Sequence, residues 1–184
     1  MNKTSAGNFF EDFRLGQILR HATPRTMTGG DFSLYTALFG ARFAVQSSAA
    51  FAKAIGYPDW PLDDLLVFHI VFGKTVPDVS LNAVANLGYA GMQFLAPVFA
   101  GDTLSANSEV IGLKENSNRK TGIVYVRSTG LDGAGEPVLT YCRWVLVRKR
   151  DAAAPAPKDI SALLAPIVRR RAYLTHRQAL PAGC

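Results

Sequence analysis

The stretch Leu65–Phe72 constrains this chain most, because it is apolar on nearly every side, with only His69 interrupting it. Asp63 and Asp64 stand just before it, where carboxylates suit the positive end of a helix, and Lys74 and Pro77 follow it. A helix with no polar face has to be covered by something. The covering material must come from the segments after Leu81, which read as strands. Beyond Asp102, Leu104, Ala106, Ser108 and Val110 point one way, and Thr103, Ser105, Asn107 and Glu109 point the other, so one face is buried. Asn116-Ser-Asn118 makes a turn, Thr121 to Leu131 the next strand, Asp132 to Gly135 a tight reversal, and Val138 to Arg148 the last strand. Short reversals force antiparallel pairing. The expectation is an α+β domain with an antiparallel sheet wrapped around a central apolar helix.

The segments ahead of that helix are smaller. Gln17 to Thr28 reads as extended. Asp31 to Phe39 reads as a short helix capped by Thr28 or Gly30 and stopped by Gly40, and a second short helix runs from Ser48 to Ile55 with Gly56 at its end. With 184 residues, 48% of them hydrophobic, the chain can bury one good core. One domain over residues 1–151 is expected, then a stiff Ala/Pro linker over 152–158 and a short basic tail over 159–184, in which 160–168 makes a weak helix around Pro166.

No apolar run is long enough to span a bilayer, and no apolar segment follows Lys3 as a secretory signal would require, so a cytoplasmic location is expected. Cys142 and Cys184 fit neither a disulfide framework nor a metal-ligand spacing and are read as free thiols. The net charge of +6 is scattered. Arg148-Lys149-Arg150 and Arg169-Arg-Arg171 carry no interleaved aromatic platform, so nucleic acid is not an expected partner. A solvated surface and attraction of an anionic group such as a CoA phosphate both remain open.

Phe94-Leu-Ala-Pro97-Val-Phe-Ala-Gly101-Asp102-Thr103-Leu104 resembles the strand-turn-strand of MaoC-like hydratases. Asn8-Phe-Phe-Glu-Asp-Phe-Arg-Leu-Gly16, Leu65 to Asp78 and Arg143-Trp-Val-Leu-Val-Arg-Lys-Arg150 are similar to the N-terminal half of mesaconyl-CoA hydratases, also called β-methylmalyl-CoA dehydratases, over about Gly7 to Pro157. The resemblance implies a single hot-dog domain and a half share in reversible water addition to a branched C4 or C5 dicarboxylic enoyl-CoA. It implies no cofactor and no metal, the CoA thioester being the substrate. It also implies a second hot dog, gained by homodimerisation or from a separate catalytic half.

Members of this family carry Asp and His in a Gly-Asp-x-Asn-Pro-x-His pattern, which here reads Gly40-Ala-Arg-Phe-Ala-Val-Gln46. Ala41 and Gln46 replace the two proton-transferring residues, and neither side chain can transfer a proton at neutral pH. The family's His-Gly pair at the helix start is replaced by Asp63-Asp64, read here as helix-start residues. His69 is the candidate replacement for catalysis, set against a core histidine. His21 is expected on an exposed part of the first strand; Asp31 with Tyr35 can form an i,i+4 polar face, but an Asp at a helix start needs no further role.

Gly88 and Gly91 allow either a ligand's close approach or a plain bulge. By the resemblance, Gly91, Gln93 and Phe94 run beside the pantetheine arm. Arg42, Lys120 and Arg148 are candidates for CoA phosphates. Two other readings stand beside the hydratase half: a hot-dog thioesterase using Asp63 or Asp64, and a non-catalytic acyl-CoA-binding module.

Overall fold

The computed structural model describes residues 6–157. Five strands, β1 (Ile18–Thr26), β2 (Ala83–Phe94), β3 (Thr103–Glu115), β4 (Thr121–Leu131) and β5 (Pro137–Arg148), form one sheet in the order β1-β3-β4-β5-β2. Every pairing is antiparallel. The centre, β3-β4-β5, is two consecutive hairpins closed by the turns at Asn116 and Asp132, where Asn116 N–H donates to Thr121 O and Asp132 Oδ1 accepts from Ala134 N and Glu136 N. β1 and β2 are the two edges, and the helices are strung between them.

The strand alternation reads through to the structure. Leu104, Ala106, Ser108 and Val110 are all buried, while Thr103, Ser105, Asn107 and Glu109 are half-exposed. Against this inner face lies α4 (Asp64–Thr75), burying Leu66, Val67, Val71 and Thr75. Its close approach depends on Gly130 of β4, where an added Cβ would stand 2.6 Å from a Val71 methyl. The arrangement is a single-domain α+β hot dog. The sheet covers only one side of the helix, however. His69 and Gly73 are exposed and Phe68 and Phe72 half-buried, because five strands do not reach round to that face.

A second core cluster fills the other end of the sheet, where Phe10 and Phe13 are wholly buried against Val110, Leu113, Val124 and Val145. Phe10 lies flat on Gly122, whose missing Cβ would sit 2.3 Å from the ring. The short 3-10 turn Phe10–Asp12 thus plugs that end.

α1 (Gly29–Phe39) starts on a reciprocal cap: Thr28 Oγ1 accepts from Asp31 N at 3.2 Å and Asp31 Oδ2 accepts from Thr28 N at 3.0 Å. The second short helix is α3 (Ala49–Ala54), capped by Ser48, and an additional turn, α2 (Ala44–Ser47), precedes it. Helical winding does not stop before Pro77. It widens into a π turn over Val76–Ser80, which takes in Pro77.

The beginning of the expected linker is a turn rather than an extended spacer, because the buried Lys149 Nζ donates to Ala154 O at 2.6 Å while also pairing with Glu115 at 2.7 Å. The tail expected over 159–184 lies outside the described residues. Among the described residues no helix is long and apolar enough to cross a membrane.

Candidate functional site

α2 carries Gln46 back onto the start of α4. Gln46 is 4% exposed, and with its amide nitrogen toward Asp63 it donates to Asp63 Oδ2 at 3.2 Å while its oxygen accepts from Asp64 N at 3.3 Å. Asp63, equally buried, caps the helix by accepting from Leu65 N at 2.8 Å. A helix N-terminus can hold an anion only through backbone N–H groups that are still unspent. Here the N–H groups of Asp64 and Leu65 are already taken, and a buried carboxylate stands among them. The arrangement is a closed cap, and an oxyanion brought to it would meet negative charge.

Beside the cap opens a cavity of about 510 Å³ lined mainly by apolar side chains, with Phe43, Phe51, Tyr57, Leu62, Phe94 and Leu95 among them. Its chemistry suits an acyl or pantetheine chain. Tyr35 lies close enough to Asp63 and Arg42 to feel both; burial, helped by Asp63, raises its phenol above the ordinary value against the pull of Arg42.

The sequence candidates fall into two groups. Phe94 lines the cavity, Arg42 immediately precedes its Phe43, and Gln93 is exposed on the adjoining end of β2. Lys120 and Arg148 are exposed at the opposite end of the sheet, roughly 25 Å along β5 from Thr140, the partner of Gln93. One CoA phosphate cannot engage both groups.

Gly91 has φ +60° at a register shift between Ala90 and Gln93 and has open space around its Cα, which makes it a bulge glycine. Gly88 leaves room for a side chain of the same sheet: a Cβ there would lie 2.6 Å from the Trp144 ring.

His69 is not a core residue. It is exposed on the open face of α4, with ring centroids 6.0 Å from Tyr35 and 5.7 Å from Phe68. Among the described residues His21 is the buried histidine, at 5% exposure, because its place in β1 turns it inward beside β3. Asp31 serves as a helix-start residue: its carboxylate is engaged by the α1 cap and by Arg25.

Two buried polar groups were not expected from the sequence to be buried. His21 Nδ1 lies 2.6 Å from Asp78 Oδ2 and Nε2 lies 2.8 Å from Ser108 Oγ, which in turn meets Ser128 Oγ at 2.7 Å. A carboxylate can only accept, so Nδ1 carries the proton and Ser108 donates to Nε2. Burial lowers the imidazole's proton affinity; Asp78 raises it, and Arg143 lowers it further. Ser108 is wholly buried, so this chain of groups is a folded-core network and not a nucleophile facing solvent. Arg143, 1% exposed on the inner face of β5, is the other. Its inward register was readable from the alternation of Leu139, Tyr141, Val145 and Val147, all buried. Among the described residues no group of His, Cys, Asp and Glu is placed to hold a metal ion.

A family model described as mesaconyl-CoA hydratase matches residues 1–161. A β-methylmalyl-CoA dehydratase of Chloroflexus aurantiacus is 63% identical over 158 residues, covering 86% of this chain and 45% of the relative. A mesaconyl-CoA hydratase of Cereibacter sphaeroides is 64% identical over 155 residues, 84% of this chain and 45% of the relative. The chain therefore spans less than half the length of either. A solved structure described as a MaoC domain protein dehydratase, also from Chloroflexus aurantiacus, superposes with a TM-score of 0.83 at 62% identity, over 87% of this chain and 46% of the other. A Mycobacterium tuberculosis protein described as a double hotdog fold superposes at 0.76 with 26% identity, over 86% of this chain and 50% of the other.

Proposed function

We propose, from the premise that this chain belongs to the mesaconyl-CoA hydratase family, that it is the scaffold half of an enoyl-CoA hydratase whose proton-transferring residues lie in a second hot dog. The reaction is reversible addition of water to the double bond of mesaconyl-CoA. The observation that carries this reading is the closed cap of α4: Gln46 and Asp63 occupy the N–H groups of Asp64 and Leu65, and Ala41 and Gln46 replace the acid-base pair. This half keeps an apolar cavity and has no unspent donor at the N–H groups of Asp64 and Leu65. In the proposal Phe94, Gln93, Arg42 and the bulge at Gly91 border the path of the pantetheine arm.

The second hot dog pairs along β2. That strand is bonded to β5 on one side only and presents Val84, Leu87 and Tyr89 at 50%, 44% and 41% exposure. An unpaired apolar edge of twelve residues is an edge that calls for a partner. A cytoplasmic location belongs to the same reading, since acyl-CoA substrates are found there. The thioesterase alternative is weakened by Asp63, whose carboxylate is committed to the helix cap.

The test mixes the purified chain with the portion of the Chloroflexus aurantiacus relative that it does not match, and follows mesaconyl-CoA by the loss of enoyl absorbance. Activity that requires both parts is the expected result. Release of free CoA without water addition would replace the hydratase reading with the thioesterase one.

A further inference from the structure

Arg143 is the buried charge that the fold leaves unanswered. Its Nη2 donates to Thr75 Oγ1 at 2.8 Å and reaches Ser80 Oγ at 3.4 Å, and its guanidinium carbon stands 4.8 Å from the centre of the Phe72 ring. Both hydroxyls are neutral. Nε and Nη1 are buried with no hydrogen-bond partner at all. A guanidinium stays protonated in a protein, and a buried one that lacks an anion is strongly disfavoured. The carboxylate of Asp78, half-exposed, is engaged by His21. The phenol of Tyr141, also buried, lies beside the guanidinium and near Thr75 and Ser128. A built, donor-rich and anion-deficient site therefore lies under Phe72.

Its position matters more than its composition. Arg143 pairs in register with Tyr89 of β2, the open edge, and Phe72 and Thr75 belong to the C-terminal half of α4. The capped N-terminus at Asp63 is a helix length away, about 18 Å, and Arg143 does not line the cavity there. Two hot dogs joined edge to edge at β2 by a twofold axis normal to the sheet have antiparallel central helices. The start of the neighbour's central helix then lies beside the end of this α4, over Phe72 and Arg143. Phe72, half-buried, and Tyr89, 41% exposed, meet edge to face at a centroid separation of 6.0 Å beside the guanidinium, so a ligand reaches Arg143 by parting these two rings.

We propose that Arg143 is the recognition site for the free carboxylate of a dicarboxylic enoyl-CoA held at the neighbouring half's reaction centre, so that this half sets acyl specificity for chemistry performed by the other. The inference rests on the functional reading above and adds the residue that separates a dicarboxylic substrate from a monocarboxylic one. A carboxylate in this site takes the unspent N–H groups of Nε and Nη1 and supplies the missing charge. A methyl group there leaves them unpaired, and sites built to hydrogen-bond a substrate group discriminate strongly against analogues lacking it.

The experiment compares mesaconyl-CoA with tiglyl-CoA, the same branched enoyl thioester with methyl in place of the free carboxylate, using this chain together with the remainder of the relative. The readout is the ratio of kcat/KM for the two substrates in wild type, Arg143→Met and Arg143→Lys. The wild type should prefer mesaconyl-CoA. Arg143→Met should cut the ratio by about 100-fold or more, and Arg143→Lys, which keeps charge but loses the planar fork, by about 10-fold. If Arg143→Met does not fold, the lysine variant alone carries the test. An unchanged ratio, with both substrates falling by the same factor, would overturn the proposal and make Arg143 a purely structural charge. A wild-type pair that hydrates neither substrate would instead overturn the functional reading beneath it.

Discussion

His21 shows how one side chain couples this core to pH. Its ring is neutral in the folded protein, with Nδ1–H donated to Asp78 and Nε2 accepting from Ser108. Burial holds its folded pKa below the ordinary histidine value, against the pull of Asp78. The unfolded chain therefore binds the proton first as pH falls, and stability contributed by the neutral ring is present above about pH 6.5 and lost as pH drops from there toward the folded value. Melting temperature should decline between pH 7.5 and 5.5, and the decline should be shallower in His21→Gln, measured by circular dichroism. A wild-type melting temperature that rises over this interval would contradict the assignment. The sequence misplaced this residue for a definite reason. β1 carries arginines on both sides of His21, at Arg20 and Arg25, and a register shift between His21 and Arg25, so its alternation does not declare which face is inward. Arg143 was easier to place, since four apolar residues of β5 share its face; the anion deficit around it was not legible, because it depends on Thr75 and Ser80, which come from a different element.

At the scale of elements, the docking of α4 depends on a residue that has no side chain. Gly130→Ala places a methyl 2.6 Å from Val71, in a contact that neither β4 nor α4 can relax without losing neighbours. Overpacking of this kind costs roughly 1–3 kcal/mol, or a few degrees of melting temperature for each kcal/mol. Thr28→Ala, which removes half of the reciprocal cap of α1, should cost about 1 kcal/mol by chemical denaturation. A Gly130→Ala cost below about 0.5 kcal/mol would mean that α4 is free to shift. The strands from Thr103 to Arg148 were readable almost residue by residue, because turn chemistry and alternation agree there. α2 was not. A four-residue turn has no periodicity to detect, yet it carries Gln46 to the start of α4 and so closes the cap.

At the scale of the molecule, the fold is unbalanced. One face of α4 and the outer side of β2 are open, and Phe68 and Phe72 of α4 meet Tyr89 of β2. The apolar composition of Leu65–Phe72 announced a helix covered on all sides, and a single sheet supplies cover for one. The chain spans 45% of the length of either relative, and the remaining face is where the proposed second hot dog would pack. Leu87→Lys puts a charge on the open edge without touching the core. It should weaken association with the remainder of the relative at least about ten-fold, read by analytical ultracentrifugation, while the melting temperature of the chain alone stays within a degree or two.

The central claim is that this half scaffolds and the other half transfers protons. The most direct test is the rate of mesaconyl-CoA consumption by the chain alone, as wild type and as His69→Ala, beside the same two proteins mixed with the remainder of the relative. Loss of general acid-base groups commonly costs about two to four orders of magnitude per group, so the chain alone should run at least about 100-fold below the mixture, and His69→Ala should leave that low rate where it is. Full turnover by the chain alone, abolished in a correctly folded His69→Ala protein, would contradict the account and place the catalytic base on the open face of α4.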